Sequence, residues 1–504
     1  MYHLISSINM AQESNEERLR RTCLDYFDEY VFNQLPLYLI RLSDMELLSR
    51  NDIWEDVRPL VDIPKLNYQG VLLESCEEYV RNLVEFAILS HRWGFGEPQF
   101  YEMSSKRYGK KTMPTGPGFE KLLEFCKKAR DDYGCAYAWS DTCCINKESS
   151  TELEEAIRSM YRWYKDAYVC IVHLAQTSSI KDFPSEPWFT RGWTLQELLA
   201  PRRLRLFGKD WRPICPEKED LSGDGDEVDS FPYPNDKRSS FMLMAISQVT
   251  DIHVKHLHNT PLQSISVCER MTWASQRQTT RVEDVAYSLF GIFDISIPIA
   301  YGEGGRAFYR LMEAIVQRCT DPTLFAWAGK RSPYSLALPS SPACYRRTVP
   351  GTVPGNYLPK STFLRGLPPD IGDPSYTNTK LGLQVKLLVV PVRGHHSTGP
   401  PRCEFTPIDT ALPHTITAFS RHISPDIDGY ALGIVNYTAT DETHGELHAG
   451  KYYFCMLLLR LWTHYTNYAT LRLKIPTKNL LTFYSIVTFR EKLETVCLSH
   501  NWVD

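Results

Sequence analysis

Residues 189–201, Phe-Thr-Arg-Gly-Trp-Thr-Leu-Gln-Glu-Leu-Leu-Ala-Pro, gather two charges, three amide or hydroxyl groups and an indole around a glycine. A Leu-rich helical run follows at once. Upstream, Asp141-Thr142-Cys143-Cys144-Ile145-Asn146 sets a carboxylate, two thiols and an amide within six positions, and Ser90-His91-Arg92-Trp93 adds an imidazole and a second indole. Such residues suit three kinds of chemistry. In a thiol hydrolase, Cys144 is the nucleophile, His91 the base and Asp141 the orienting group. A carboxylate mechanism draws on Glu152, Glu154 or Glu155. A metal site would draw on His253, His256 and His258, but no cysteine stands at zinc spacing beside them, so no metal is assigned.

Each candidate also has a structural reading. Thr151 with Glu154 forms a capping box, and Glu154 reaches Arg158 at i+4, which leaves Glu152 the freest of the three acids. Trp93, Trp139 and Trp193 read as packing residues, and Cys143 and Cys144 as small buried hydrophobes. No G-x-x-x-x-G-K-[ST] occurs, so there is no P-loop. Gly302-Glu303-Gly304-Gly305 either cradles an anion on backbone N–H groups or makes a tight turn into a helix.

The elements that must position these residues alternate. Phe86–Ser90 is a short apolar strand, Glu120–Arg130 a helix with Leu122, Leu123, Phe125 and Cys126 inward, and Cys135–Trp139 a second strand. Glu154–Ala167 is a helix with Ile157, Met160, Tyr161 and Tyr164 on one face. Tyr168–Leu174 is a third strand, Thr194–Ala200 a helix stopped by Pro201, and Leu204–Phe207 a fourth strand. Alternation of this kind implies right-handed crossovers and a parallel sheet covered on both sides. Ligands of such sheets bind beyond the carboxyl ends of the strands. Three loops land there. They carry Ser90, His91 and Trp93; then Asp141, Cys144 and Asn146; then Arg191, Trp193, Gln196 and Glu197.

Elsewhere the pattern sorts into further regions. Residues 1–84 form a helical lead-in with a strand at Tyr38–Leu42, and 85–212 the α/β core. Glu217–Ser240 is an exposed polar loop. Residues 241–330 are helical, including Arg281–Phe293 and Gly305–Arg318, and 331–373 a Pro/Ser/Gly-rich linker. Residues 374–504 form a small all-β domain with strands at Leu383–Val392, Tyr430–Tyr437, Tyr452–Leu461, Tyr468–Ile475 and Thr482–Phe489. Length bounds the whole: 504 residues suggest roughly two to four domains, and 43% hydrophobic with 23% charged residues excludes a largely disordered chain. A net charge of −4 gives no bulk drive toward nucleic acid or anionic membrane. The N-terminus lacks the basic and apolar regions of a secretory signal, and no apolar run approaches the roughly 18 residues of a membrane span. The 14 cysteines then read as reduced thiols of a cytoplasmic protein.

The three polar loops are together specific to a family. Phe86–Trp93, then Asp141–Asn146 with Glu152, Glu155, Met160, Tyr161, Trp163 and Tyr164, then Arg191–Glu197, occur in the order of the motifs of the fungal heterokaryon-incompatibility (HET) domain, which this chain resembles from about Phe86 to Trp327. Glu269-Arg270-Met271, Thr280–Tyr287 and Tyr301–Gly304 resemble the helical extension of HET-E-type vegetative incompatibility proteins. Asn146-Lys147 departs mildly from the dipeptides usual at that position. The resemblance implies non-self recognition between fused cells that ends in cell death, with other incompatibility proteins or self-association as partners. It also implies a TIR-like or flavodoxin-like sheet. Some TIR domains cleave NAD with a glutamate; by that analogy Glu152 is the catalytic acid, joined by Asp141 and His91, with NAD as substrate and no cofactor required. The alternative is a non-catalytic adaptor in which the same residues hold loops and mediate assembly. The nucleotide-triggered oligomerisation module and WD repeats of some members have no counterpart in this sequence.

Overall fold

The computed structural model describes residues 15–63, 75–104, 113–215, 234–258 and 261–346, together with the strands named below between 377 and 499. The chain packs as two units, residues 1–260 and 261–504. In the first, α1 (Asn15–Asn33), β1 (Tyr38–Arg41), β2 (Glu46–Ser49), α2 (Arg50–Val57) and α3 (Cys76–Leu83) lead into β3 (Phe86–His91). There follow α4 (Phe100–Met103), α5 (Pro117–Asp131), β4 (Tyr137–Trp139), α6 (Ser150–Asp166), β5 (Val169–His173), α7 (Thr194–Leu199), β6 (Leu204–Phe207), α8 (Ser240–Thr250) and α9 (Val254–Leu257).

One six-stranded sheet, in the order β2-β1-β4-β3-β5-β6, organises this unit. The four strands read from the alternation are parallel to one another. Taken in chain order they run 2-1-3-4, the beginning of a doubly wound order whose switch point lies between its first and third strands, here β3 and β5. All six residues of β3 and all five of β5 are buried, as expected of strands covered on both faces. The sheet is not wholly parallel: β1 pairs antiparallel with both β2 and β4 and closes one side. A hairpin of this kind needs only local turn residues, and its four-residue strands carry too little periodicity to announce which sheet they join.

Several local expectations shift. The helix at 150–166 begins two residues before Glu152 and is capped by Ser149, whose hydroxyl accepts from the Glu152 N–H, so Thr151 is not its cap. Trp163 is buried on its core face, whereas Tyr161 is only half-buried. On α5, Leu123 points outward and is 39% exposed, while Phe119 and Ala129 complete the inward stripe. Of the expected polar loop, residues 217–233 lie outside the described residues. The remainder is only partly exposed: Arg238 and Ser240 face solvent, but Asp236 is fully buried and pairs with Arg205 at 2.7 Å.

The second unit opens with α10 (Val267–Ala274), α11 (Asp284–Tyr287), α12 (Phe290–Phe293) and α13 (Arg306–Arg318). The stretch expected as one helix over 281–293 is two single turns. The Leu289 N–H bonds back only three residues, to the Ala286 carbonyl, and this tightening ends the first turn. Helix α13 keeps the expected face of Phe308, Leu311, Met312 and Ile315 buried. A hairpin of β7 (Arg331–Ser332) and β8 (Ser335–Pro339) follows, inside the stretch read as linker; residues 347–373 of that stretch lie outside the described residues.

An eleven-stranded sheet makes up the rest: β9 (Thr377–Asn378), β10 (Gly382–His396), β11 (Arg402–Pro407), β12 (Ile416–Phe419), β13 (Tyr430–Ile434), β14 (Thr438–Ala439), β15 (His444–Leu447), β16 (Lys451–Arg460), β17 (Thr470–Lys474), β18 (Leu481–Ser485) and β19 (Phe489–Ser499). Its pairings are antiparallel apart from β17 with β19. Leu388, Phe405, Leu432 and Leu457 form its core, and Leu336 of β8 joins them. Among the described residues no helix is long and apolar enough to cross a membrane, and there is no disulfide.

Candidate functional site

Ser90 and His91 are neighbours at the carboxyl end of β3, so their side chains leave opposite faces of the sheet. That alternation splits the residues expected to share one pocket into two groups.

On one face, Ser90 is fully buried and its hydroxyl donates to Glu197 Oε2 at 2.5 Å. The Trp188 indole N–H in turn donates to Ser90 Oγ at 2.8 Å. Glu197 is 7% exposed and Trp188 fully buried, so this relay lies inside the protein. It is fixed by local structure. The Thr194 hydroxyl bonds the carbonyls of Trp188 and Arg191, which ties the loop carrying Arg191 and Trp193 to the first turn of α7. Gln196 is 1% exposed on the same helix, and its amide nitrogen has no hydrogen-bond partner.

On the other face, His91 Nε2 lies 3.1 Å from Asp141 Oδ1 in the loop after β4. The Trp93 indole donates to Asp141 Oδ2 at 2.7 Å, and the Lys147 ammonium sits 4.0 Å above the centre of that indole ring. Burial pushes the Asp141 carboxyl up, but His91, Lys147 and the Trp93 N–H outweigh it and hold it below the usual carboxylate range. His91 Nδ1 faces Glu97 at 3.9 Å without a hydrogen bond. Glu97 itself accepts from the Gly94 N–H at 2.7 Å and pairs with Lys121 of α5.

Beyond these groups opens a crevice of about 520 Å³, lined by Gly94, Glu97, Lys121, His173, Lys209 and Trp211 among others. It lies at the carboxyl ends of β3 and β5, the switch point of the sheet. His173 is in register with His91, so it shares that face. Its ring stacks on Trp211 with centroids 4.5 Å apart. Burial, assisted by the nearby Lys121 charge, lowers its pKa to about 4, so the imidazole is neutral at physiological pH and its Nε2 has no partner. One glycine shapes the wall: a Cβ on Gly118, in the first turn of α5, would stand 2.2 Å from the Gly96 carbonyl oxygen.

The remaining candidates separate from both groups. Cys144 is buried, and burial beside Cys143 drives its thiol well above the ordinary value, the opposite of what a nucleophile needs. Asn146 is a turn residue whose side-chain oxygen accepts from the Glu148 N–H. The carboxylate of Glu152 makes no hydrogen bond to His91 or Asp141, and its Oε2 is buried without a partner. Glu155 pairs with Arg50 and Glu154 with Arg158. In the second unit, the N–H groups of Gly302 and Gly304 both donate to Glu283 Oε1, at 2.8 and 2.9 Å, so the chain's own carboxylate fills that glycine turn. Among the described residues no cluster of His, Cys, Asp and Glu could hold a metal ion.

Sequence reasoning passed over Glu97, Lys121, His173, Lys209 and Trp211. His173 ends an expected strand, and strand ends of a parallel sheet are where a ligand-facing group is to be sought. The other four come from loops and from α5, and only packing brings them to the crevice.

Comparison with known proteins agrees with this layout. Residues 86–183, from the start of β3 to beyond β5, match the family model described as heterokaryon incompatibility protein (HET). This stretch of the chain is therefore similar to a HET domain. It is also 39% identical over 298 residues to the vegetative incompatibility protein HET-E-1 of Podospora anserina, a match that covers 55% of this chain and 19% of that protein. No solved structure matches. The HET match includes His91, Trp93, Asp141, Cys144, Asn146 and Glu152, whereas Arg191, Trp193, Gln196 and Glu197 lie beyond its end.

Proposed function

We propose that this chain acts in vegetative incompatibility and that its HET domain is the effector, hydrolysing a nucleotide at the carboxyl edge of the sheet. One observation carries the reading. A carboxylate held below its usual pKa range, two histidines with unpartnered ring nitrogens and a lysine meet beside an open crevice at the switch point of a doubly wound sheet. NAD is the substrate that the family's likeness to TIR domains suggests. Cleaving its nicotinamide–ribose bond builds positive charge on the sugar, which a fixed anion stabilises. Water completes the reaction, giving nicotinamide, ADP-ribose and a proton.

Asp141 is the carboxylate we assign to that charge. Its side chain is 25% exposed and so within reach of a ligand, and three neighbours favour its ionised form. Glu197 suits the role less because Ser90 and the protein interior enclose it. Glu152 is the third candidate, from the TIR analogy. The death of incompatible cells, the partner that triggers it and a cytoplasmic setting belong to this same proposal.

The test is to induce the full chain in cells and follow NAD and viability over time, alongside Asp141→Asn, Glu152→Ala and Glu197→Gln. NAD should fall before viability, and Asp141→Asn should prevent both. If only Glu152→Ala or Glu197→Gln prevents them, the nucleotide reading stands and the assigned carboxylate is wrong. If cells die with NAD intact, nucleotide hydrolysis is refuted and the HET domain works as an assembly module.

A further inference from the structure

The amino ends of the same strands enclose a second cavity, of about 630 Å³, larger than the crevice at their carboxyl ends. Glu85 precedes β3 there, Tyr168 precedes β5, and Arg202 and Arg203 precede β6. Six cationic side chains and four carboxylates line it. Two of those carboxylates, Glu77 and Asp166, are already paired with Arg81, at 3.1 and 2.9 Å. Arg203 is held in place by stacking on the Tyr168 ring at 4.2 Å and by donating to the Tyr168 carbonyl. Lys165 and Arg202 are exposed and make no ion pair among the described residues.

Lys237 adds an independent observation. It lines the cavity yet is only 4% exposed. Its ammonium donates to the carbonyls of Leu199 and Pro201, at 3.1 and 2.6 Å. An ammonium has three N–H donors, so one is left over. Burying a cation is costly unless a counter-charge is near, and here burial lowers the Lys237 pKa to about 7 with no carboxylate bonded to it. The carbonyls it holds close the C-terminal end of α7, the helix that carries Gln196 and Glu197.

We propose that this amino-edge cavity is a binding site for a small polyphosphate anion, such as the diphosphate of a nucleotide. Arg202 and Lys165 meet the anion at the mouth, Arg203 and Lys237 meet it within, and Lys237 passes its presence to α7. Lys165 and Arg202, which make no ion pair among the described residues, gain more from a multiply charged phosphate than from a single charge. The site is distinct from the carboxyl-edge crevice, and it stands whether or not that crevice hydrolyses a nucleotide.

Pyrophosphate is the probe, titrated into the purified full chain by calorimetry at constant ionic strength, with inorganic phosphate for comparison. Hydrogen exchange of residues 194–199 is followed in parallel. We expect saturable pyrophosphate binding, tighter than that of phosphate and weakened at least tenfold in the double variant Lys165→Ala/Arg202→Ala. Both side chains are exposed, so the variant should keep its thermal midpoint without ligand. Exchange in α7 should slow on binding in the wild type. Absence of saturable binding, or equal binding by the folded double variant, overturns the site. Binding that leaves α7 exchange unchanged overturns its link to Lys237.

Discussion

Ser90 and His91 are joined by one peptide bond and serve two unlike environments. The Ser90 face is closed: indole, hydroxyl and carboxylate bond one another inside the protein, and all three residues are buried. The His91 face is open: its hydrogen bonds run outward through Asp141 to a Trp93 that is 46% exposed, and ring nitrogens of His91 and His173 are left unpartnered beside a crevice. The contrast teaches that a run of polar motif residues need not be one site. The closed side sets where α7 sits on the sheet, and the open side has a partly exposed carboxylate and an adjoining crevice where a ligand can be met.

If that division is right, damage to the closed side should be read out as stability. Trp188→Ala removes a fully buried indole and the donor to Ser90. A loss of about 3–5 kcal/mol is expected from such a truncation, measured by urea unfolding of the first unit's tryptophan signal. A loss under about 1 kcal/mol would mean that the relay is not a structural core.

The open side should instead be read out as pH dependence. His173 has a folded-state pKa of about 4 against an ordinary value of 6.5. Between those values the unfolded chain binds a proton that the folded chain does not, so stability falls as pH drops from 6.5 toward 4. Relative to His173→Gln, the wild type should lose up to about 3 kcal/mol over that window. Parallel stability–pH curves for the two proteins would show that His173 is freely solvated. A ligand that accepts a hydrogen bond from the protonated ring would narrow the window, which makes the same experiment a ligand screen.

Asp141 gives the smallest effect and the opposite range. Its folded pKa lies below the ordinary 3.8, so its contribution is complete above that value and is lost as pH falls through the lower, folded one. Asp141→Asn should cost about 1–2 kcal/mol at neutral pH, typical of charged hydrogen bonds. The gap to wild type should close below pH 3.8. A gap that persists unchanged in acid would place the stabilisation in neutral hydrogen bonds rather than in the carboxylate's charge.

Much of this was legible in the chain. The runs Phe86–Ser90, Tyr168–Leu174 and Leu204–Phe207 are apolar enough to be buried on both faces, and the helices between them carry clear stripes, so a parallel sheet followed directly. The motif loops fell at its carboxyl edge because every βα connection must begin there. Even the parting of Ser90 from His91 was implicit in the two-residue period of a strand, although their shared loop invites treating them as one group. The short antiparallel strands β1 and β2 were less legible, since four residues give no periodicity to read.

The sequence by itself determined the parallel strands of the core, the HET-like motifs and the edge of the sheet where they lie, because local burial patterns and chain connectivity settle those. Only the tertiary structure decided that Glu97, Lys121, His173 and Trp211 share a crevice, that Glu283 fills the glycine turn at Gly302–Gly304, and that a cationic cavity opens at the amino edge. Those groupings rest on contacts between segments tens of residues apart. Side-chain direction and packing set them, and no spacing along the chain encodes them.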